Sequence, residues 1–236
     1  MSRILYLVPG TGLLENNKAA RATELSSFLT NPGNHSVRAE CVGYGLEHVR
    51  SSVESEYGIK GILEYAVKHR GEYDAVIVGS ILDPGIFSLR EISFVPVVAQ
   101  LEASAALCGI LGEKFAVITD DRASGKCVRA LVRKYGLAER CLDAVFTVDT
   151  AMEDILSGLK EKIEFAADMG ADSVIIGCGC GLTAQQRAEL KKCSIPVVFP
   201  DEASVKAAEM LLDLNIRHSD ASFPKPELAR IEELLY

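Results

Sequence analysis

The chain repeats itself. Tyr73–Ser80 reads YDAVIVGS and Ala171–Cys178 reads ADSVIIGC, which sets Ser80 opposite Cys178 at a separation of 98 positions. Further on, VPVVAQLEASAA from Val95 meets IPVVFPDEASVKAA from Ile195, pairing Pro96 with Pro196 and Glu102 with Glu202, now 100 apart. Gly-Ser/Cys, Pro-Val-Val and Glu-Ala-Ser recur in one order, which is more than the likeness any two apolar strands share. The two-residue slip falls in a loop. Two halves with one strand, turn and helix order imply an approximate twofold, expected to bring the Ser80 and Cys178 turns face to face across a cleft.

Within each half, apolar strand runs alternate with amphipathic helical stretches. The first half reads as strands Ile4–Val8, Val37–Val42, Ala75–Val78 and Val95–Val98, with helices from about Asn17, Ser52 and Glu102. Asp83-Pro84-Gly85 marks a tight turn or a short helix start. The second half reads as strands Phe115–Thr119, Leu142–Val148, one around Val174 and Pro196–Phe199, with helices Arg122–Tyr135, Thr150–Met169, Thr183–Lys192 and Glu202–Leu214. Thr150 with Glu153 three residues on has the capping-box pattern. Alternation of this kind means parallel strands covered on both faces. The predicted fold is α/β, with two pseudo-symmetric Rossmann-like lobes, a parallel sheet flanked by helices in each, and the active site in the cleft between them. Residues 1–98 with 203–236 form the expected first lobe and 99–202 the second, the last helical segment returning to cover the first half.

Cys178 is the candidate at the centre of the chemistry. It ends a buried strand and is followed by Gly179, Cys180 and Gly181, whose backbone N–H groups could approach a ligand closely. A thiol there would feel the positive end of the next helix, which lowers its pKa and favours an anion beside it. Ser80 holds the matching position, and Thr11 and Thr119 also end strands and could donate to a carboxylate. Glu102 and Glu202 are read as complementing helix dipoles. Cys178 and Cys180 form a Cys-x-Cys pair, yet no histidine lies near them and His35, His48, His69 and His218 show no ligand spacing, so no metal is expected. Gly10 and Gly12 begin a nucleotide-like fingerprint, but Glu15 stands where the third glycine belongs.

The net charge of −8 carries no basic block, which argues against nucleic acid or an anionic membrane as partner. The apolar run of MSRILYLVPG stops at Pro9, too short for a signal peptide, and no stretch approaches the roughly twenty apolar residues of a membrane helix, so a cytoplasmic protein is expected. Cys41, Cys108, Cys127, Cys141 and Cys193 are scattered through predicted elements and read as small buried hydrophobes.

These residues resemble the aspartate/glutamate/hydantoin racemase superfamily, and are most similar to its hydantoin and allantoin racemase branch. The resemblance lies in Pro9-x-Thr11, Val53–Tyr57 (VESEY), Asp74–Gly85 (DAVIVGSILDPG), Val95–Ser104, Gly112–Thr119 (GEKFAVIT) and Gly170–Cys178 (GADSVIIGC). It implies a cofactor-independent racemase or isomerase acting at the α-carbon of an amino acid, hydantoin or related small carboxylate, in a homo-oligomer. Two thiols on opposite faces of the α-carbon would exchange its proton, with Cys178 as one of them. Thr11, Ile81, Thr119, Gly179 and Cys180 would contact substrate. The sequence departs from the pattern at the first thiol, which is Ser80, and around Pro9, where Val8 and Gly10 replace the family's asparagines. A serine hydroxyl is far too weak an acid to stand as a free base at neutral pH. A second branch, the arylmalonate decarboxylases, keeps one thiol in a Cys-Gly-Gly-Leu-Leu-Thr context similar to Cys178–Thr183, and its implied reaction needs only a proton donor. A carboxylate-binding protein without catalysis is the third alternative.

Overall fold

The computed structural model describes residues 1–12, 15–43, 45–47, 51–149, 154–178 and 181–235. The chain divides into two compact units, Met1–Gln100 with Ser204–Tyr236, and Leu101–Ala203.

In the first unit, β1 (Ser2–Val8), β2 (His35–Cys41), β3 (Ala75–Val78) and β4 (Val97–Ala99) form a parallel sheet in the order β2-β1-β3-β4. Its helices are α1 (Glu15–Ser26), α2 (Ser52–Lys68) and α3 (Ile86–Ile92). The chain enters the second unit within α4 (Gln100–Leu111), which continues from β4. There β5 (Phe115–Thr119), β6 (Cys141–Thr147), β7 (Ser173–Ile176) and β8 (Val197–Val198) repeat the order as β6-β5-β7-β8, again parallel. Its helices are α5 (Arg122–Lys134), α6 (Ile155–Asp168) and α7 (Ala184–Leu190). The return lies within α8 (Pro200–Asp213), and α9 (Leu228–Leu235) sets Leu228, Ile231 and Leu235 against the first unit's core.

The central strands show why the sequence takes this form. AVIV of β3 and SVII of β7 are buried throughout, as strands covered on both faces must be. Fully buried Ile77 and Ile118 each contribute about 1.5–3 kcal/mol relative to exposure. The repeat is visible in the registers. Ile4 pairs with Ala75 as Phe115 pairs with Ser173, and Val76 pairs with Val97 as Val174 pairs with Val197. Pro96 and Pro196 have no N–H to give the ladder, but their carbonyls accept from Val76 and Val174, both at 2.9 Å. Asp74 and Asp172 repeat as well: Asp74 accepts from the Arg3 N–H at 2.7 Å, and Asp172 from the Glu113 and Lys114 N–H groups at 2.8 Å. The Arg3 guanidinium, aided by that N–H, holds Asp74 below the usual carboxylate range, and the Lys114 and Glu113 N–H groups do the same for Asp172.

Several helix boundaries differ from the sequence reading: α1 begins at Glu15, α4 at Gln100 and α8 at Pro200, each two residues earlier than expected. Asp83-Pro84-Gly85 leads into a true helix, α3, whose Ile86, Leu89 and Ile92 are buried on one face. The described part of the helix expected from Thr150 begins at Ile155, where the Asp154 side chain accepts from the Ser157 N–H at 3.1 Å. Thr150 and Glu153 lie outside the described residues.

Candidate active site

Each unit places a turn at the carboxyl end of its third strand, and the two turns begin alike. Gly79 donates to the Leu7 carbonyl at 2.8 Å and Gly177 to the Ile118 carbonyl at 2.7 Å, so each glycine extends its sheet by one more bond to the central strand. The residue after each is the candidate, Ser80 in the first unit and Cys178 in the second.

The Ser80 turn is tightly closed. Its N–H donates to the Val78 carbonyl at 2.9 Å, its carbonyl accepts from Asp83 at 3.1 Å, and its Oγ accepts from the Leu82 N–H at 3.3 Å. Among the described residues the Ser80 hydroxyl donates to nothing, so its proton is available to a ligand. Asp83 adopts a left-handed φ of 44° although it is 2% exposed, and Gly85 follows at 66°. A non-glycine residue pays roughly 1–2 kcal/mol for that conformation. Such strain persists where the surroundings over-determine it, as they do between the Ser80 carbonyl and the start of α3. Glycine at 79 is required by close approach, because a Cβ there would lie 2.4 Å from the Tyr6 ring. Tyr6 is itself fixed, since its hydroxyl accepts from Gln100 Nε2 at 2.8 Å and Arg21 Nη2 at 3.1 Å.

Cys178 is half-buried and in no disulfide. Gly179 and Cys180 lie outside the described residues. The loop resumes at Gly181, with φ 53°, and Thr183 then caps α7: its Oγ1 accepts from Gln186 N–H at 3.2 Å while Gln186 Oε1 accepts from Thr183 N–H at 2.9 Å. Arg187 ties the loop down. Its guanidinium donates to the Leu182 carbonyl at 3.4 Å, forms a two-pronged pair with Asp201 at 2.9 and 2.8 Å, and lies 4.8 Å from the Phe199 ring centroid. Two other thiols are poor acid/base candidates, because burial pushes Cys108 up to about 11 and raises Cys193, the latter helped by Glu164.

The remaining sequence candidates fall as follows. The first unit carries Thr11, Ser80 and Ile81 at the carboxyl ends of β1 and β3, and the second carries Thr119 and Cys178 at the ends of β5 and β7. Thr11 is exposed, with its N–H donating to Leu46 at 3.1 Å. Ile81 is half-buried. Thr119 is fully buried, and its hydroxyl donates to the Asp121 carbonyl at 3.0 Å, within its own loop. Gly10 and Gly12 have a packing reason: a Cβ on either would meet the Leu46 or Glu47 carbonyl oxygen at 2.2 Å. Glu102 and Glu202 both sit in the first turns of their helices, as their repeat suggested. Sequence reasoning missed the Tyr6–Gln100–Arg21 cluster and the Arg187–Asp201 pair. The one signal for the first was a tyrosine inside the otherwise aliphatic run ILYLV.

Among the described residues no group of three or more His, Cys, Asp and Glu is placed to hold a metal ion, and no helix is long and apolar enough to cross a membrane. Two parallel sheets with matching strand orders and matching glycine turns define a duplicated α/β fold. The sequence matches the family Asp/Glu/Hydantoin racemase over residues 15–211, and the chain belongs to that family. It is 29% identical over 182 residues to a hydantoin racemase from Pseudomonas sp. strain NS671, covering 72% of each chain. Among solved structures it is similar to an allantoin racemase from Klebsiella pneumoniae, with TM-score 0.78 and 23% identity over 96% of this chain and 95% of that one. It also shares the fold of an unliganded arylmalonate decarboxylase, with TM-score 0.62 and 18% identity over 89% and 93%. The protein is thus an enzyme of the Asp/Glu racemase type, a class that catalyses racemisation or isomerisation.

Proposed function

We propose that this enzyme inverts the α-carbon of a hydantoin or related small carboxylate through a carbanion, with Cys178 as the acid/base on one face. The observation that carries the reading is the equivalence of the two strand-end turns. Gly79-Ser80 and Gly177-Cys178 follow matching strands and make matching bonds to the central strand of each sheet. The hydantoin racemase relatives supply the substrate class. Inversion needs a base on one face and an acid on the other. In this reading the Cys178 thiolate removes the α-hydrogen as a proton, and the electron pair of the C–H bond remains on carbon. Ser80, whose O–H donates to nothing among the described residues, gives its proton to the opposite face of the carbanion; its alkoxide then takes a proton from water while the Cys178 thiol gives its proton to the hydroxide left, which restores both groups.

Ser80 holds a proton at neutral pH but has no populated basic form there, so the two turns are unequal partners. Racemisation has an equilibrium constant of one, so kcat/KM must be equal in the two directions whatever the asymmetry of the bases. The asymmetry should instead appear as exchange without inversion. In deuterated water, the enantiomer that presents its hydrogen to Cys178 should gain deuterium with retention faster than it inverts, whereas the other should not. Cys178→Ala should lower both processes by about 10²-fold or more, the usual contribution of a positioned acid/base. Ser80→Cys should raise inversion. Equal exchange from both enantiomers, or inversion that survives Cys178→Ala, would remove the basis of the proposal.

The serine at the first turn also favours a second reading, a decarboxylase in which loss of carbon dioxide generates the carbanion and Cys178 alone protonates it. Substituted malonates in deuterated water separate the two. Carbon dioxide release with a single deuterium on one face supports decarboxylation, and intact malonates beside exchanging hydantoins support racemisation.

A further inference from the structure

The first unit holds a cavity of about 370 Å³ at the amino-terminal end of its sheet, at the opposite end of the strands from Ser80. That volume falls at the lower end of the ~300–1,000 Å³ typical of small-molecule sites. Leu5, Tyr65 and Tyr73 give it an apolar, partly aromatic lining, and Arg3, Ser36 and Arg38 bring polar groups to it.

The hydrogen-bond inventory decides what could enter. The carboxylates beside the cavity already have partners. Glu72 takes His69 Nδ1 on one oxygen at 3.1 Å and Arg38 Nη1 on the other at 3.4 Å, while both oxygens of Asp74 are held by Arg3 at 3.1 and 3.2 Å. The donors are only partly engaged. Arg38 uses Nε on Glu40 at 2.8 Å and Nη1 on Glu72, and Arg3 uses Nε and Nη2, so each guanidinium keeps one unengaged amino group among the described residues. Tyr65 Oη and Ser36 Oγ make no hydrogen bond there either. Tyr65 stacks on His69 with centroids 4.3 Å apart, which fixes the ring. Burial, reinforced by Glu40, pushes its hydroxyl pKa upward, so at neutral pH it is an O–H donor. The unengaged groups are therefore weighted toward donors: one amino group on each guanidinium and two hydroxyls, while each Glu72 oxygen already holds a partner.

We infer that this cavity binds a small planar carboxylate, with its ring against Tyr65 and Tyr73 and its carboxylate on Arg38 and the Tyr65 hydroxyl. The site lies within one unit and owes nothing to Cys178, so it stands or falls separately from the catalytic reading.

The test uses 4-fluorobenzoate as probe, with binding followed by fluorine NMR and titration calorimetry on the full chain. Arg38 is more than half exposed, so Arg38→Ala empties no core, and thermal unfolding of each variant checks that it is folded. Arg38→Ala should weaken binding about 10-fold or more, as loss of a charge-assisted hydrogen bond does. Tyr65→Phe should weaken it by a smaller factor, and Cys178→Ala should leave it unchanged. The inference is overturned if the parent shows no saturable binding at millimolar probe, or if folded Arg38→Ala and Tyr65→Phe bind as the parent does. It is equally overturned if Cys178→Ala removes the binding, which would assign the probe to the catalytic turn.

Discussion

The Arg187–Asp201 pair offers a measurable link between the fold and the Cys178 loop. Its side chains are 14% and 10% exposed, and the pair is a parallel two-bond fork at 2.9 and 2.8 Å. Removing the cation alone, by Arg187→Met, leaves Asp201 with little water to replace it, and breaking such a pair from one side costs about 3–5 kcal/mol when buried. Asp201 has partial compensation here, since it sits in the first turn of α8 and accepts from the Glu202 N–H at 2.9 Å. The expected loss is therefore about 2–4 kcal/mol, the lower side of that range. Asp201→Leu should cost less than Arg187→Met, because a bare guanidinium stays closer to water and keeps its Leu182 carbonyl and Phe199 ring contacts. The double variant Arg187→Met/Asp201→Leu should be more stable than the sum of the singles by about 1–3 kcal/mol, the coupling range of contacting groups. Urea unfolding gives these terms, and deuterium exchange into a hydantoin reads the loop. Exchange should fall in every variant lacking Arg187, including the stable double, because the Leu182 carbonyl has lost its tether. Additive single variants would refute the coupling, and a double variant with full exchange would refute the tether.

Glu209, 3% exposed on α8, accepts from the Thr30 N–H at 2.8 and 2.9 Å and from the Asn31 N–H at 2.7 Å. Glu209→Ala should cost about 2–4 kcal/mol by thermal or urea unfolding, and Glu209→Gln less, since two charge-assisted bonds of about 1.5–3 kcal/mol each are replaced by partial rehydration. Burial alone would raise this carboxyl's pKa, but the Thr30 and Asn31 bonds and Lys206 bring it below the usual value. A depressed pKa means stabilisation that is complete above the ordinary carboxylate range and lost as pH falls through the lowered folded value, so the parent and Glu209→Gln stabilities should converge in acid. Gly79→Ala would drive a Cβ to within 2.4 Å of Tyr6 Cε1, and Tyr6 is held by Gln100 and Arg21. Overpacking of this kind costs about 1–3 kcal/mol and should displace the Ser80 turn, so a variant unchanged in both unfolding and inversion rate would show that Tyr6 yields freely.

What the sequence could reveal was whatever repeats or is local. The offsets of 98 and 100 reappear as registers because strands must pair in step for their apolar residues to stay buried. Ser80 and Cys178 were legible as equivalent positions for the same reason. Helix α3 was legible only as one of two readings of Asp83-Pro84-Gly85, a tight turn or a short helix start, because its seven residues are too short a stretch for periodicity to decide between them. Long-range polar partners left no trace: Glu209 meets a turn 179 residues away and Gln100 meets Tyr6 across 94. Gly10 and Gly12 were visible as glycines but not as the floor beneath the Leu46 and Glu47 carbonyls, since that approach depends on the segment after β2.

The duplicated backbone does not carry duplicated chemistry, and the difference is larger than one serine for one cysteine. By register, Tyr6 beside Ile77 in the first sheet answers to Val117 beside Ile175 in the second, and by the repeat Gln100 answers to Pro200. The polar support behind the Ser80 turn, Tyr6 with Gln100 and Arg21, thus has an apolar counterpart behind the Cys178 turn. The Arg21 guanidinium lies 5.1 Å from the Tyr6 ring centroid, so the serine side also has a cation near its supporting ring. These residues make sense only together. Valine in place of Tyr6 would remove the hydroxyl to which Gln100 Nε2 donates at 2.8 Å. A thiol placed at position 80 would therefore follow a sheet that carries Tyr6 where the Cys178 sheet carries Val117 at the matching register position. The rise in inversion expected from Ser80→Cys measures how much of the asymmetry lies in the reacting atom. Whatever shortfall remains against Cys178 belongs to Tyr6, Gln100 and Arg21, and repeating Ser80→Cys in a Tyr6→Phe background apportions it.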